Sequence, residues 1–111
     1  MEYTGIVQEG LREGETPTIN IPLEDAALSG VYAAHISLED DENWYEGVAY
    51  ANQARGILEA YLFEFDEVAY GKRARITLEK KLREHRDFAS ELEATNTIMS
   101  DIAAAGKFFM Q

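Results

Sequence analysis

WYEGVAYANQARGILEAYLFEFDEVAY, residues 44 to 70, is the longest stretch of this 111-residue chain with one unbroken apolar period. Trp44, Val48, Ala51, Arg55, Leu58, Leu62, Phe65 and Ala69 recur at steps of three and four, the spacing of one α-helical face. Gly47, Ala54, Tyr61 and Val68 widen that face by a second seam. The period predicts a central helix over about 42–70, roughly 40 Å long at 1.5 Å per residue.

Working outward, Gly71 stands where a helix ends in a left-handed residue. A second long helix, about 72–105, then carries Ala74, Leu78, Leu82, His85, Ala89, Leu92, Asn96, Met99 and Ala103 on one face. The two would fold as an antiparallel hairpin. Upstream, Pro22 with Glu24 and Asp25 reads as a first helical turn, and Leu23, Ala27, Val31, Ala34 and Leu38 continue it, giving a shorter helix about 23–36. A rival reading makes Val31–Leu38 a strand, with Tyr32, Ala34, Ile36 and Leu38 on one face. Residues 1–21 are punctuated by Gly5, Gly10, Gly14 and Pro17 and read as an extended arm, with Thr18–Ile21 alternating like a strand. The arm would wrap its own helices or dock on a neighbouring subunit. The expectation is a mainly α protein, an arm over 1–21 followed by a single helical domain over 22–111.

The charge is uneven. Fifteen carboxylates face only Arg12 and Arg55 through Gly71, whereas Lys72, Arg73, Arg75, Lys80, Lys81, Arg83 and Arg86 form a basic block against Glu79 and Glu84. In the hairpin, Glu59, Glu64, Asp66 and Glu67 would lie near that block. The net charge of −11 opposes unaided binding to nucleic acid or to an anionic membrane. There is no cysteine, hence no thiolate nucleophile and no cysteine-based metal site. No signal peptide and no transmembrane run is evident, so the chain reads as soluble, cytoplasmic or particle-associated.

Motifs of catalysis are scarce. His35 and His85 belong to no E-x-x-H or H-E-x-x-H pattern, and His85 reads as a packing histidine within an apolar stripe. No phosphate-loop, dinucleotide or nucleophile-elbow glycine pattern is present. The run Glu39, Asp40, Asp41, Glu42 reads as a solvated helix cap rather than a cation site. Neither metal nor cofactor is expected, and no catalytic activity.

Tyr45, Phe63 and Tyr70 fall on the side of the central helix opposite its main seam, so they point to a second contact. With the terminal Phe108 and Phe109, the acidic run 39–42, and Lys72, Arg73 and Arg75, they are the residues expected to carry protein contacts. The functional expectation is therefore a non-enzymatic assembly subunit, a homo-oligomer or part of a larger complex such as a virus-like particle. The alternative is an acidic inhibitor that blocks a nucleic-acid-binding protein by imitating DNA.

Overall fold

The 44–70 stretch is broken in its middle by a turn at Gln53–Gly56, where Gly56 takes a left-handed φ of 65°. The computed structural model describes residues 2–8, 18–39, 43–63 and 71–110. Within them the chain forms six antiparallel strands, β1 (Glu2–Ile6), β2 (Thr18–Pro22), β3 (Gly30–Leu38), β4 (Trp44–Asn52), β5 (Ile57–Leu62) and β6 (Arg73–Arg83), then one helix, α1 (Glu91–Phe109). The strand order is β1-β6-β3-β4-β5-β2. The sheet curls until its two edge strands approach. A Cβ on Gly5 would stand 3.1 Å from the Ile21 Cβ. The Val7 N–H donates to the Lys72 carbonyl at 2.8 Å, and the Gln8 N–H donates to the Asn20 carbonyl at 2.7 Å. The result is a nearly closed barrel.

The mainly α expectation is therefore wrong. No helix spans 42–70 or 23–36, and the 72–105 helix is replaced by β6 over its first part, with α1 beginning only at Glu91. The rival strand reading of 31–38 is the one the structure follows. The physical reason lies in double burial. Ala34, Ile36, Leu38, Ala49, Ala51, Leu58, Ala60, Leu62, Ala74, Ile76 and Leu78 face the barrel interior. Val31, Ala33 and Val48 face outward but are covered by α1 through Ala105, with Ile102, Phe108 and Phe109 beside them. A strand covered on both faces loses its polar–apolar alternation and cannot be told from a helix by period alone. The narrow interior also takes alanine and glycine, which read as helix formers and as noise. Gly47 is the tightest point: a Cβ there would lie 2.2 Å from the Tyr61 carbonyl oxygen of the neighbouring strand.

Helix α1 begins as its sequence directs. Ser90 is extended and its hydroxyl accepts from the Glu93 N–H, while Glu91 and Glu93 occupy the first turn and Lys107 the last. Its buried seam runs through Ile98, Asp101, Ile102, Ala105 and Phe109, not through Leu92 and Met99, which are 71% and 64% exposed. Among the described residues no helix is long and apolar enough to cross a membrane.

Candidate functional site

The register of the barrel lines up one residue from each of five strands on its outer face. Arg83 pairs with Val31, Val31 with Tyr50, Tyr50 with Glu59, and Glu59 with Asn20. An isolated bridge extends the row to Gln8. Leu58, Ala60, Ile19 and Ile21 point inward. Alternation therefore turns Glu59 and Asn20 outward on β5 and β2. Asn20 is nevertheless buried, one of two such polar residues among those described. The other is Asp101.

Over this row sits a cleft of about 150 Å³. Its floor is Gly30, Val31, Tyr50, Ala51, Asn52 and Glu59; its roof is the segment after β6, with Arg83, His85, Arg86 and Phe88, together with Ile98 of α1. Glu59 is the one carboxylate among the described residues of that lining. A wider groove of about 540 Å³ continues along α1 past Ser90, Glu93, Asn96, Thr97 and Asp101, and shares Arg83 and Arg86 with the cleft.

Arg83 is tied down on every side. Its Nε donates to Asp101 Oδ1 at 2.7 Å and its Nη2 to Asp101 Oδ2 at 2.8 Å, a fork-to-fork pair. Its Nη1 donates to the Glu84 carbonyl at 3.0 Å. The hydrogen bond to Asp101 raises the guanidinium pKa against the opposing effect of burial, with smaller contributions from the charges of Asp101 and Tyr50. Two guanidinium groups lie near the Phe88 ring, that of Arg83 at 5.9 Å and that of Arg86 at 5.6 Å from its centroid. Arg86 in turn donates to Glu93 Oε1 at 2.7 Å. The turn after β4 is braced by Gln53, whose amide donates to the Asp25 carbonyl at 2.9 Å and also to the Leu28 carbonyl.

The residues expected to carry contacts are distributed elsewhere. Tyr45 packs against the barrel core, Phe63 packs against the cluster beneath α1, and Phe108 and Phe109, in the last turn of α1, pack against the same cluster. The Glu39 carboxylate accepts from the Arg73 N–H, Arg75 pairs with Glu2 at 2.9 Å and stands over Trp44, and Lys72 accepts from Val7 through its carbonyl. Tyr70, Asp40, Asp41 and Glu42 lie outside the described residues. His85, expected in a packed stripe, is instead exposed at the cleft rim, 3.4 Å from Asp87.

Sequence reading missed Asn20, Tyr50, Arg83, Phe88 and Asp101, and met Glu59 only as a surface ion-pair partner. One signal was readable. Ile98, Asp101, Ile102 and Ala105 form a helical seam with a carboxylate at its centre, and an acid in an apolar stripe needs a cation.

The family model described as "Flavokinase: Riboflavin kinase" matches residues 1–109. The chain belongs to the riboflavin kinase family. Its similarity extends to a bifunctional riboflavin kinase/FMN adenylyltransferase of Pseudomonas fluorescens, 36% identical over 108 residues, covering 88% of this chain and 34% of that protein. A protein of the same description from Buchnera aphidicola subsp. Acyrthosiphon pisum is 34% identical over 119 aligned positions, covering 96% of this chain and 38% of that one. The chain thus spans between a third and two-fifths of the curated relatives it matches. Among solved structures, a riboflavin kinase from Trypanosoma brucei superposes with a TM-score of 0.70 at 21% identity, covering 99% of this chain and 77% of that one. A macrolide-efflux protein from Streptococcus pneumoniae reaches 0.73 at 20% identity, over 90% of this chain and 34% of that one. At those identities the two structures support the fold alone.

Membership in a family of kinases overturns the expectations of a non-enzymatic assembly subunit, of an acidic DNA mimic, and of a chain without catalysis. The inference from missing motifs failed for a chemical reason. Phosphoryl transfer requires positioning and charge rather than a thiolate, a paired histidine or a covalent intermediate, so the lack of those groups excludes nothing. A thin helical hairpin would leave little room for a cleft, whereas a barrel with a helix laid against it makes one.

Proposed function

We propose that this chain phosphorylates riboflavin, transferring the terminal phosphoryl group of a nucleoside triphosphate to the primary hydroxyl of the ribityl chain to give FMN. The observation that carries the reading is Glu59, the one carboxylate among the described residues of the cleft lining, set between Tyr50 and Asn20 in the outer-face row. The narrow cleft suits the slender ribityl chain, and the wider groove across Arg83 and Arg86 suits the tricyclic ring. Phe88 and the guanidinium planes offer that ring stacking surfaces.

In this arrangement the ribityl O–H gives its proton to the Glu59 carboxylate as its oxygen forms a bond to the terminal phosphorus. The bond from that phosphorus to the bridging oxygen breaks, and the nucleoside diphosphate leaves with the electron pair. The donor approaches from the β2 side, where Asn20 pairs with Glu59 on one side and Gln8 on the other. The divalent cation that a nucleoside triphosphate brings takes oxygen ligands, and the Asn20 side-chain carbonyl would offer one of the right type, leaving the Glu59 carboxylate to accept the proton. Replacing Glu59 by Gln should lower kcat by about 10²-fold or more while riboflavin still quenches on binding. Unchanged turnover in that variant would remove Glu59 from the role of base.

A further inference from the structure

Asp101 is 4% exposed, sits at the centre of the apolar seam of α1, and spends both carboxylate oxygens on Arg83. A buried ion pair of this kind contributes little net stability compared with well-packed apolar side chains, so its presence calls for a geometric reason. The geometry supplies one. Arg83 is the last residue of β6, it closes one end of the outer-face row, and it holds the Glu84 carbonyl and the face of Phe88. Every roof residue of the cleft from 83 to 88 follows directly from it. Asp101 itself is absent from the cleft lining. It does border the wider groove, but both its oxygens are turned onto Arg83, so its hold on the roof runs through the guanidinium.

We infer that Asp101 is a positioning residue: by fixing the Arg83 guanidinium in a bidentate fork it sets the roof of the cleft, and so the affinity for riboflavin. This rests on the kinase reading above. The same pair joins α1 to the end of β6.

The test separates positioning from simple stabilisation. Asp101→Asn removes the charge and sets an NH2 against one of the two guanidinium donors, and should weaken riboflavin binding about tenfold, seen as a raised KM and Kd with a smaller change in kcat at saturating riboflavin. The double variant Arg83→Met/Asp101→Leu removes both charges, and should melt close to the unmodified chain while binding riboflavin as weakly as Asp101→Asn. In the Arg83→Met background the change at Asp101 should add no further loss of affinity, whereas an Asp101 that acts on riboflavin independently of Arg83 predicts an added loss of about tenfold. That result overturns the inference. The unmodified chain gives a readout independent of folding defects, since the Arg83 Nε–H resonance should shift when riboflavin is added; a resonance that stays in place while riboflavin binds also overturns it. Failure of the unmodified chain to quench riboflavin fluorescence at all is a different outcome, one that removes the kinase reading and with it this inference.

Discussion

Replacing Gly47 by alanine should be the most damaging one-carbon change in the barrel. Gly47 pairs with Ala34 on one side and Leu62 on the other, and its added Cβ would stand 2.2 Å from the Tyr61 carbonyl oxygen, 3.1 Å from the Tyr61 carbonyl carbon and 3.2 Å from the Ile36 Cδ1. An ordinary carbon–oxygen approach is about 3.3 Å, so the strands must part by about 1 Å. The obstacle is backbone, not a side chain that can swing away. Strand β5 is held between β4 and β2, and the Phe63 N–H to Glu46 carbonyl bond of 2.8 Å pins it just beyond the clash. The cost belongs at the upper end of overpacking, about 3 kcal/mol. For a domain of this size that lowers Tm by roughly 10–20 °C. Glu59 lies two residues from Tyr61 on the same strand, so riboflavin phosphorylation should fall as well. Gly56→Ala is the control: its φ of 65° is strained for alanine, but nothing lies within 4 Å of the added carbon. That change should cost only about 1 kcal/mol. Equilibrium urea unfolding of both variants decides the matter. A Gly47→Ala chain within 1 kcal/mol of the parent, or one more stable than Gly56→Ala, would refute the reasoning.

Four further substitutions have expected outcomes. The Tyr3 hydroxyl donates to Asp25 at 2.9 Å, and burial together with that bond pushes its pKa up to about 12 from 10.0. The folded chain then holds a proton that the unfolded chain has lost, so this contribution is full below pH 10.0 and fades as pH rises toward about 12; Tyr3→Phe should flatten the decline in melting temperature over that window. Ser90→Ala removes the cap of α1 and should cost about 1 kcal/mol, measurable by urea unfolding. Met99→Lys on the exposed face of α1 should change stability by less than about 0.5 kcal/mol. Ile102→Ala on the packed face should cost about 2 kcal/mol, and equal effects at the two positions would reverse the assignment of the faces.

What the sequence made legible was local, and what it concealed was long-range. The Thr18–Ile21 alternation reads directly as β2, because only one face of that strand carries apolar residues into the core. In β4 the consecutive burial of Gly47, Val48 and Ala49 erases the same signal, and Trp44, Val48, Ala51 and Leu58 keep a helical period by coincidence across a turn. Helix α1 was legible as helix but read on the wrong face. Leu92 and Met99 drew the seam one step away from Ile98 and Asp101, since a charged residue at the centre counts against an apolar stripe until its partner Arg83 is known. The site itself was out of reach for a similar reason. Asn20, Glu59, Tyr50 and Arg83 come from four strands and 64 positions of sequence, and only the pairing register places them in one row.

The most direct test of the account follows the label from a nucleoside triphosphate carrying a radioactive terminal phosphate, mixed with riboflavin, magnesium and this chain. The account predicts label in FMN in step with nucleoside diphosphate release, and its loss in Glu59→Gln. Label that appears only as inorganic phosphate, or riboflavin recovered unchanged, would contradict it.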